Sequence, residues 1–248
     1  MIYNIEECSK VFKMDKIAEL KKLIDGAANI VFFGGAGVST LSGMKDFRGK
    51  NGLYKGNYDY PLEYFLSSNC FYHEPELFFK FYKENMNALD YKPNIIHEYL
   101  AKLEQGGKLQ AIVTQNIDGL HQKAGSKKVY EIHGTIYKNH CIKCHKFYSA
   151  EYVFSSSLVP KCSCGGIIKP DVVLYGEMLP DDFDESCLAI SKADLLIVAG
   201  TSLTVEPAAS LVKLCNGNLV ILNDTKTPYD FLATLVINED LADIFKKL

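Results

Sequence analysis

Two hydrophobic patterns alternate along the chain. Unbroken apolar runs of about five residues follow stretches whose apolar positions recur every three or four. In "MDKIAELKKLIDGAANIVFFGGAG", Ile17, Leu20 and Ile24 share one helical face, Asp15 suits an N-cap, and Gly26 can end the helix. "NIVFF" then reads as a short buried strand running into a glycine-rich loop. The order repeats at "KPNIIHEYLAKLEQGGKLQAIVTQNID". There Pro93 and Asn94 start a helix whose buried face carries Ile96, Tyr99, Leu100 and Leu103. Gly106-Gly107 ends it and "LQAIVT" follows as a strand. "KVYEIHGT", "DLLIVAGTS" and "NLVILND" are three more strands with polar ends, and "EPAASLVKLC" reads as a helix between the last two.

This alternation predicts an α/β fold: a Rossmann-like parallel sheet with helices on both faces. In such sheets ligands bind beyond the carboxyl ends of the strands. The polar groups that follow these strands are Gly35 to Gly37, Gln115-Asn116-Asp118, His133, Gly200-Thr201-Ser202 and Asn223-Asp224. Parallel strands would gather all five along one edge. Two regions break the pattern. Residues 50–92 are rich in Tyr and Phe with helix-like segments such as "PELFFKFYKENMNAL", and residues 137–170 hold four cysteines. They are expected to form a smaller lobe, a helical insertion plus a zinc-binding module. Residues 1–49, 93–136 and 171–248 then make the main domain.

Composition narrows the class. A formal net charge of −3 over 248 residues gives no general pull toward nucleic acid or an anionic membrane. The N-terminal residues lack an apolar run of signal-peptide length, and no stretch approaches the roughly 20 apolar residues of a membrane span. A cytoplasmic protein is expected, so the eight cysteines are not read as disulfides. Cys8, Cys70, Cys187 and Cys215 are taken as small core residues.

The other four have metal-site spacing. "CIKC", seventeen residues and "CSC" place Cys141, Cys144, Cys162 and Cys164 around one tetrahedral zinc. The second pair is tight, which leaves His140 or His145 as alternative ligands. Four protein ligands leave no open position, so the ion would be structural, stapling a segment too short for its own core. Five lysines against one glutamate there allow nucleic-acid contact, but without arginine or an aromatic stripe none is expected.

"GGAGVSTLSGMKDFRG" is a phosphate-binding candidate, because residues without Cβ let backbone N–H groups approach a pyrophosphate. It departs from GxGxxG, and a tight structural turn accounts for it nearly as well. Its extension ends on Arg48, the only arginine in a chain that otherwise uses lysine. In "TQNIDGLHQKAG", Gln115, Asn116, Asp118 and His121 suit a carboxamide and ribose hydroxyls, or a capped turn. His133 in "EIHGT" is a candidate base, though a lone histidine is more often structural.

Together these stretches, with "KPDVVLYGE", "GTSLTVEPAA", "LND" and "INEDL", resemble the sirtuin family of NAD-dependent protein deacylases along essentially the whole chain. The family usually has Ile-Pro where this chain has Met44-Lys45. The resemblance implies NAD lying across the strand ends, with Gly35, Ala36, Gly37 and Thr40 at the phosphates and Phe47, Arg48 and Tyr54 in a closing loop. Gly200, Thr201, Ser202, Asn223, Asp224, Asp240 and Leu241 would hold the adenosine half. Gln115 would bond the nicotinamide ribose, while Phe47, Ile117 and Asp118 would form the nicotinamide pocket. An acetylated-lysine peptide would add as a strand at Val173, Tyr175 and Gly176. His133 would be the general base, with Asn116 and Asp118 beside it in the catalytic set. The implied products are nicotinamide, free lysine and O-acetyl-ADP-ribose. ADP-ribosyl transfer to a protein is the alternative reading. Family members that take acidic acyl chains resemble one another in a Tyr and an Arg three apart. Here Tyr82 is followed by Asn85, so acetyl or longer neutral acyl groups are expected.

Overall fold

The computed structural model describes residues 5–49, 52–156 and 158–248, with side chains from Lys16 onward. Six parallel strands form the main sheet: β1 (Ile30–Gly34), β2 (Leu109–Thr114), β3 (Val129–Glu131), and, later in the chain, β7 (Leu195–Ala199), β8 (Asn218–Leu222) and β9 (Leu235–Ile237). Between them β4 (Gly134–Cys141), β5 (Phe147–Tyr148) and β6 (Ile168–Val172) make a separate antiparallel sheet in the order β5-β4-β6. The large sheet runs β3-β2-β1-β7-β8-β9, so strand order reverses between β1 and β7. That reversal opens a crevice at the carboxyl ends of β1 and β7.

Every residue of β1 and of β7 is buried, as two covered faces require. Side chains alternate: Ile30 and Phe32 join one core, Val31 and Phe33 the other. The first core packs against helices Ile5–Gly26, Ile95–Gln105 and Leu241–Phe245; the second packs against helix Asp182–Ser191 and a 3₁₀ segment, Ala208–Leu214.

The predicted strands are present and parallel. Helix Ile95–Gln105 has Asn94 as its N-cap and Gly106 as its C-cap. Three expectations need correction. The first helix starts at Ile5, so Asp15 lies inside it rather than at its cap. The segment "EPAASLVKLC" forms a tighter 3₁₀ helix, Ala208–Leu214, with Pro207 at its N-cap. Cys70 is buried as expected, but Cys187 and Cys215 are only half-buried. The side chain of Cys8 lies outside the described residues.

The two inserted regions share one core. Phe71, Phe78, Phe79 and Tyr82 from the first pack with Ile136, Val153, Ile168 and Val172 from around the second. Tyr82 stacks on Phe154 with ring centroids 5.4 Å apart. The cysteine-bearing segment therefore borrows its core from the helical insertion, rather than depending on zinc alone. Each fully buried Phe contributes about 1.5–3 kcal/mol.

Candidate active site

The glycine turn is built at the end of β1. Gly35 N–H donates to the Ala199 carbonyl at 3.1 Å and Gly37 N–H to the Gly200 carbonyl at 2.8 Å. A Cβ on Gly37 would lie 2.7 Å from Gly200 Cα, and one on Gly35 would lie 2.7 Å from Thr201 Cβ. Contacts that close have no room for a methyl group. The glycines are thus required first by the contact between the two strand-end loops, a nearer cause than the expected approach of a phosphate. Two short 3₁₀ turns follow, Ala36–Val38 and Thr40–Ser42. Gly43 then leaves in the left-handed region at φ 95°, where glycine carries no Cβ penalty.

Ser39 ties this turn to the end of β2. Its hydroxyl donates to Asp118 Oδ2 at 2.7 Å and accepts from Asn116 Nδ2 at 3.0 Å. All three residues are buried. Burial pushes the Asp118 carboxyl above its ordinary range, opposed by the Ser39 hydroxyl and the Leu120 N–H. Sequence reasoning singled out Asn116 and Asp118 but passed over Ser39, the sixth residue of a motif read for its glycines.

His133 follows β3. Its Nδ1 lies 3.1 Å from the Gln115 carbonyl oxygen. A carbonyl only accepts, so Nδ1 carries the proton and Nε2 keeps its lone pair. Burial lowers the imidazole pKa, and the Gln115 contact partly offsets this. The ring is therefore neutral near pH 7. Gln115 in turn donates from Nε2 to Thr201 Oγ1 at 3.0 Å, linking β2 to the loop after β7.

A cavity of about 670 Å³ covers these strand ends, within the range of small-molecule sites. Of the residues expected at the cofactor, Ala36, Gly37, Thr40, Phe47, Arg48, Gln115, Asn116, Ile117, Asp118 and His133 line it on the near side. Gly200, Thr201, Ser202, Asn223, Asp224, Asp240 and Leu241 line it on the other. Val173, Tyr175 and Gly176 also line it. Gly35 lies behind the turn against Thr201, and Tyr54 stands away from the wall beside Arg48. Arg48 Nη2 donates to the Tyr54 hydroxyl at 3.2 Å, and its guanidinium sits over that ring. Tyr54 donates to Glu63, whose carboxylate is 4.0 Å from Arg48. His121 is buried away from the cavity, its ring against His97.

The donor set suits a dinucleotide. An amide and a carboxylate sit beside the apolar Phe47 and Ile117 at one end, and hydroxyls and carboxylates at the other. The four cysteines also fit their metal. Their Sγ atoms lie within 4.8 Å of one another, with Cys141–Cys164 and Cys144–Cys162 both at 3.5 Å. A zinc tetrahedron with bonds of about 2.3 Å has edges of about 3.8 Å. His140 is engaged instead with Asp171 at 2.9 Å, so four cysteines meet the ligand count without it.

The Sir2 family model matches residues 35–207. An NAD-dependent protein deacetylase of Clostridium acetobutylicum is 54% identical over 239 residues, covering 94% of this chain and 98% of that protein. One from Cutibacterium acnes is 46% identical, covering 90% and 93%. A solved Sir2 with a deacetylated p53 peptide and 3'-O-acetyl ADP-ribose has a TM-score of 0.88 at 42% identity, covering 94% of this chain and 96% of that one. A Sir2 complex with p53 peptide and NAD+ has a TM-score of 0.84 at 41% identity, with the same coverage. With the turn, the strand-end histidine and the cysteine cluster in place over this length, the chain belongs to the Sir2 family.

Proposed function

We propose that His133 is the general base of this cavity and that the residues around it hold NAD and an acetylated lysine side by side. The chain is an NAD-dependent protein deacetylase. The observation that carries the assignment of the base is the His133 tautomer: Nδ1 is committed to Gln115, so a neutral Nε2 is free to take a proton. NAD, when bound, supplies a ribose carbon that takes the acyl oxygen as nicotinamide departs, and a hydroxyl whose proton must be removed.

The chain's own groups do the rest. Asn116 and Asp118, locked through Ser39, would orient the carboxamide; Phe47 and Ile117 would keep water from the reacting carbon. Ala36 and Thr40 would face the phosphates. Thr201, Ser202, Asn223, Asp224, Asp240 and Leu241 would hold the adenosine half, and Gln115 the ribose beside nicotinamide. Zinc would be held by Cys141, Cys144, Cys162 and Cys164 in a structural role. The peptide would run along Val173 to Gly176. Tyr175 N–H already donates to the Leu66 carbonyl and its carbonyl accepts from Ser68. Val173 N–H likewise donates to the His133 carbonyl at 2.9 Å, so a substrate strand would use the Val173 carbonyl and the groups of Gly176.

Tyr82, Asn85 and Met86 line the same cavity. Asn85 donates to its own helix at Phe81, and the sole arginine is turned toward Tyr54 and Glu63. Lys45 and Lys55 reach the wall, but as point charges without a bidentate grip. A neutral acyl group is the substrate favoured. Among the described residues no helix is long and apolar enough to cross a membrane. We place the enzyme in the cytoplasm, where its free thiols stay reduced, acting on acetylated protein with no direct nucleic-acid contact.

Nicotinamide release measured with and without an acetyl-lysine peptide tests the reading. Release should require the peptide. His133→Ala should abolish deacetylation while NAD still binds; near wild-type turnover in that variant would remove His133 from its role.

A further inference from the structure

Asn94 does two jobs, and the helix it caps needs only one. Its Oδ1 accepts from Ile96 N–H at 2.9 Å, and the His97 Nδ1 accepts from its own N–H at 3.2 Å, completing the cap of helix Ile95–Gln105. Aspartate or serine would cap as well. The amide half is surplus to that purpose. Its Nδ2 donates to the Val38 carbonyl and to Ser42 Oγ, both at 2.9 Å. These acceptors lie more than fifty positions earlier in the chain, on either side of Ser39, Thr40 and Leu41.

The second fact is what those bonds hold. Ser39 is tied to Asn116 and Asp118 on one side of the turn, and Gly37 to Gly200 on another. Asn94 supplies the remaining side. Past Gly43 the support changes: Leu53 N–H donates to Asp46 and Tyr54 N–H to Phe47, so that stretch bonds mainly to its own loop. The clamped part of the cofactor segment ends where the bonds of Asn94 end.

We propose that Asn94 is a positioning residue for the cofactor, holding the Val38–Ser42 turn so that Ala36 and Thr40 present fixed groups to NAD. The inference rests on the reading that this turn receives NAD. Asn94 touches neither substrate nor reacting atoms and acts only through the turn. Its contribution is preorganisation, so loss of the amide should weaken NAD capture and spare the peptide site.

Asn94→Asp and Asn94→Ser test this, with deacetylation rates measured against NAD and against an acetylated peptide. Both keep a capping oxygen and lack the amide donor. A hydrogen bond of ordinary strength is worth a few-fold in an equilibrium constant, so KM for NAD should rise about fivefold. The peptide KM, kcat and melting temperature should stay near wild type. Ser42→Ala removes one acceptor without touching the helix and should reproduce part of the rise. Ser39→Ala separates the two levels of the argument. If it raises KM for NAD while the Asn94 variants do not, the role of Asn94 is overturned and the reading of the turn stands. If neither moves KM for NAD, both fall. A rise of both KM values together with a fall in kcat and melting temperature in the Asn94 variants would reduce Asn94 to a helix cap and overturn the proposal.

Discussion

Replacing His97 should flatten the acid side of the stability curve. His97 is fully buried. Its Nδ1 lone pair accepts from Asn94 N–H, and Nε2 has no hydrogen-bond partner. The neighbouring His121 ring lies 4.7 Å away, edge-on, with neither nitrogen bonded. A proton on His97 would cost the Asn94 bond and place a cation in an apolar setting. Burial accordingly lowers its pKa from 6.5 to about 4, and burial lowers that of His121 as well. The sign follows from the unfolded chain, which takes up its proton near 6.5 while the folded one does not. The stability contribution is complete above that pH and is lost as pH falls toward the folded value. For His97 alone the loss between pH 7 and pH 5 is about 2 kcal/mol. His97→Gln keeps an acceptor at the third position of the capping box and has nothing to titrate. Urea unfolding of the zinc-loaded proteins at the two pH values should show the variant losing about 2 kcal/mol less than wild type, at equal slope with denaturant. The cysteine cluster is the same in both proteins, and the part of the His121 shift that comes from its His97 neighbour adds to the effect of the substitution. Equal losses would show that His97 is not the acid-labile element.

Gly37→Ala places a Cβ 2.7 Å from Gly200 Cα, against backbone that cannot swing aside. The strain of about 1–3 kcal/mol should appear as a raised KM for NAD, and unchanged NAD kinetics would show the two loops to be separable. Removing zinc with a chelator should expose the four cysteine thiols and abolish activity. Circular dichroism should retain most helix and sheet signal, because the parallel sheet has its own two cores; complete unfolding would contradict that independence. Acetyl- and longer neutral acyl-lysine peptides should be hydrolysed in preference to succinyl-lysine, and a succinyl preference in paired kinetics would overturn the reading of Asn85.

Local pattern sufficed where structure is locally decided. β1, β2, β7 and β8 were legible as apolar runs, and Asn94 was legible as a helix start, because burial on two faces and capping leave marks within a few residues. β9, Leu235–Ile237, was not read as a strand; it is three residues long, and unlike the equally short β3 it is not followed by a histidine-glycine pair that drew attention to it. The strand-end groups were legible as one edge from the parallel arrangement alone. Their couplings were not. Ser39 to Asp118 spans 79 positions and Gln115 to Thr201 spans 86, and nothing local signals such a partner. The glycines were found for a phosphate, yet their nearest obligation is to Gly200 and Thr201. Arg48 stood out because it is unique, whereas its present partners, Tyr54 and Glu63, appear only in three dimensions.

The dependence of the glycine turn on Gly200 has a consequence during synthesis. A nascent chain emerges from its N-terminus, and all the glycines of the turn appear among the first fifty residues. Two of the turn's backbone acceptors, the Ala199 and Gly200 carbonyls, arrive about 150 residues later. At about 5–20 residues per second that is a wait of order ten seconds. β1 also lacks β7 throughout that interval, leaving one edge of an apolar strand unpaired. The glycine turn is therefore made well before it can acquire its shape, and the ribosome-bound intermediate is where β1 is most exposed to mispairing.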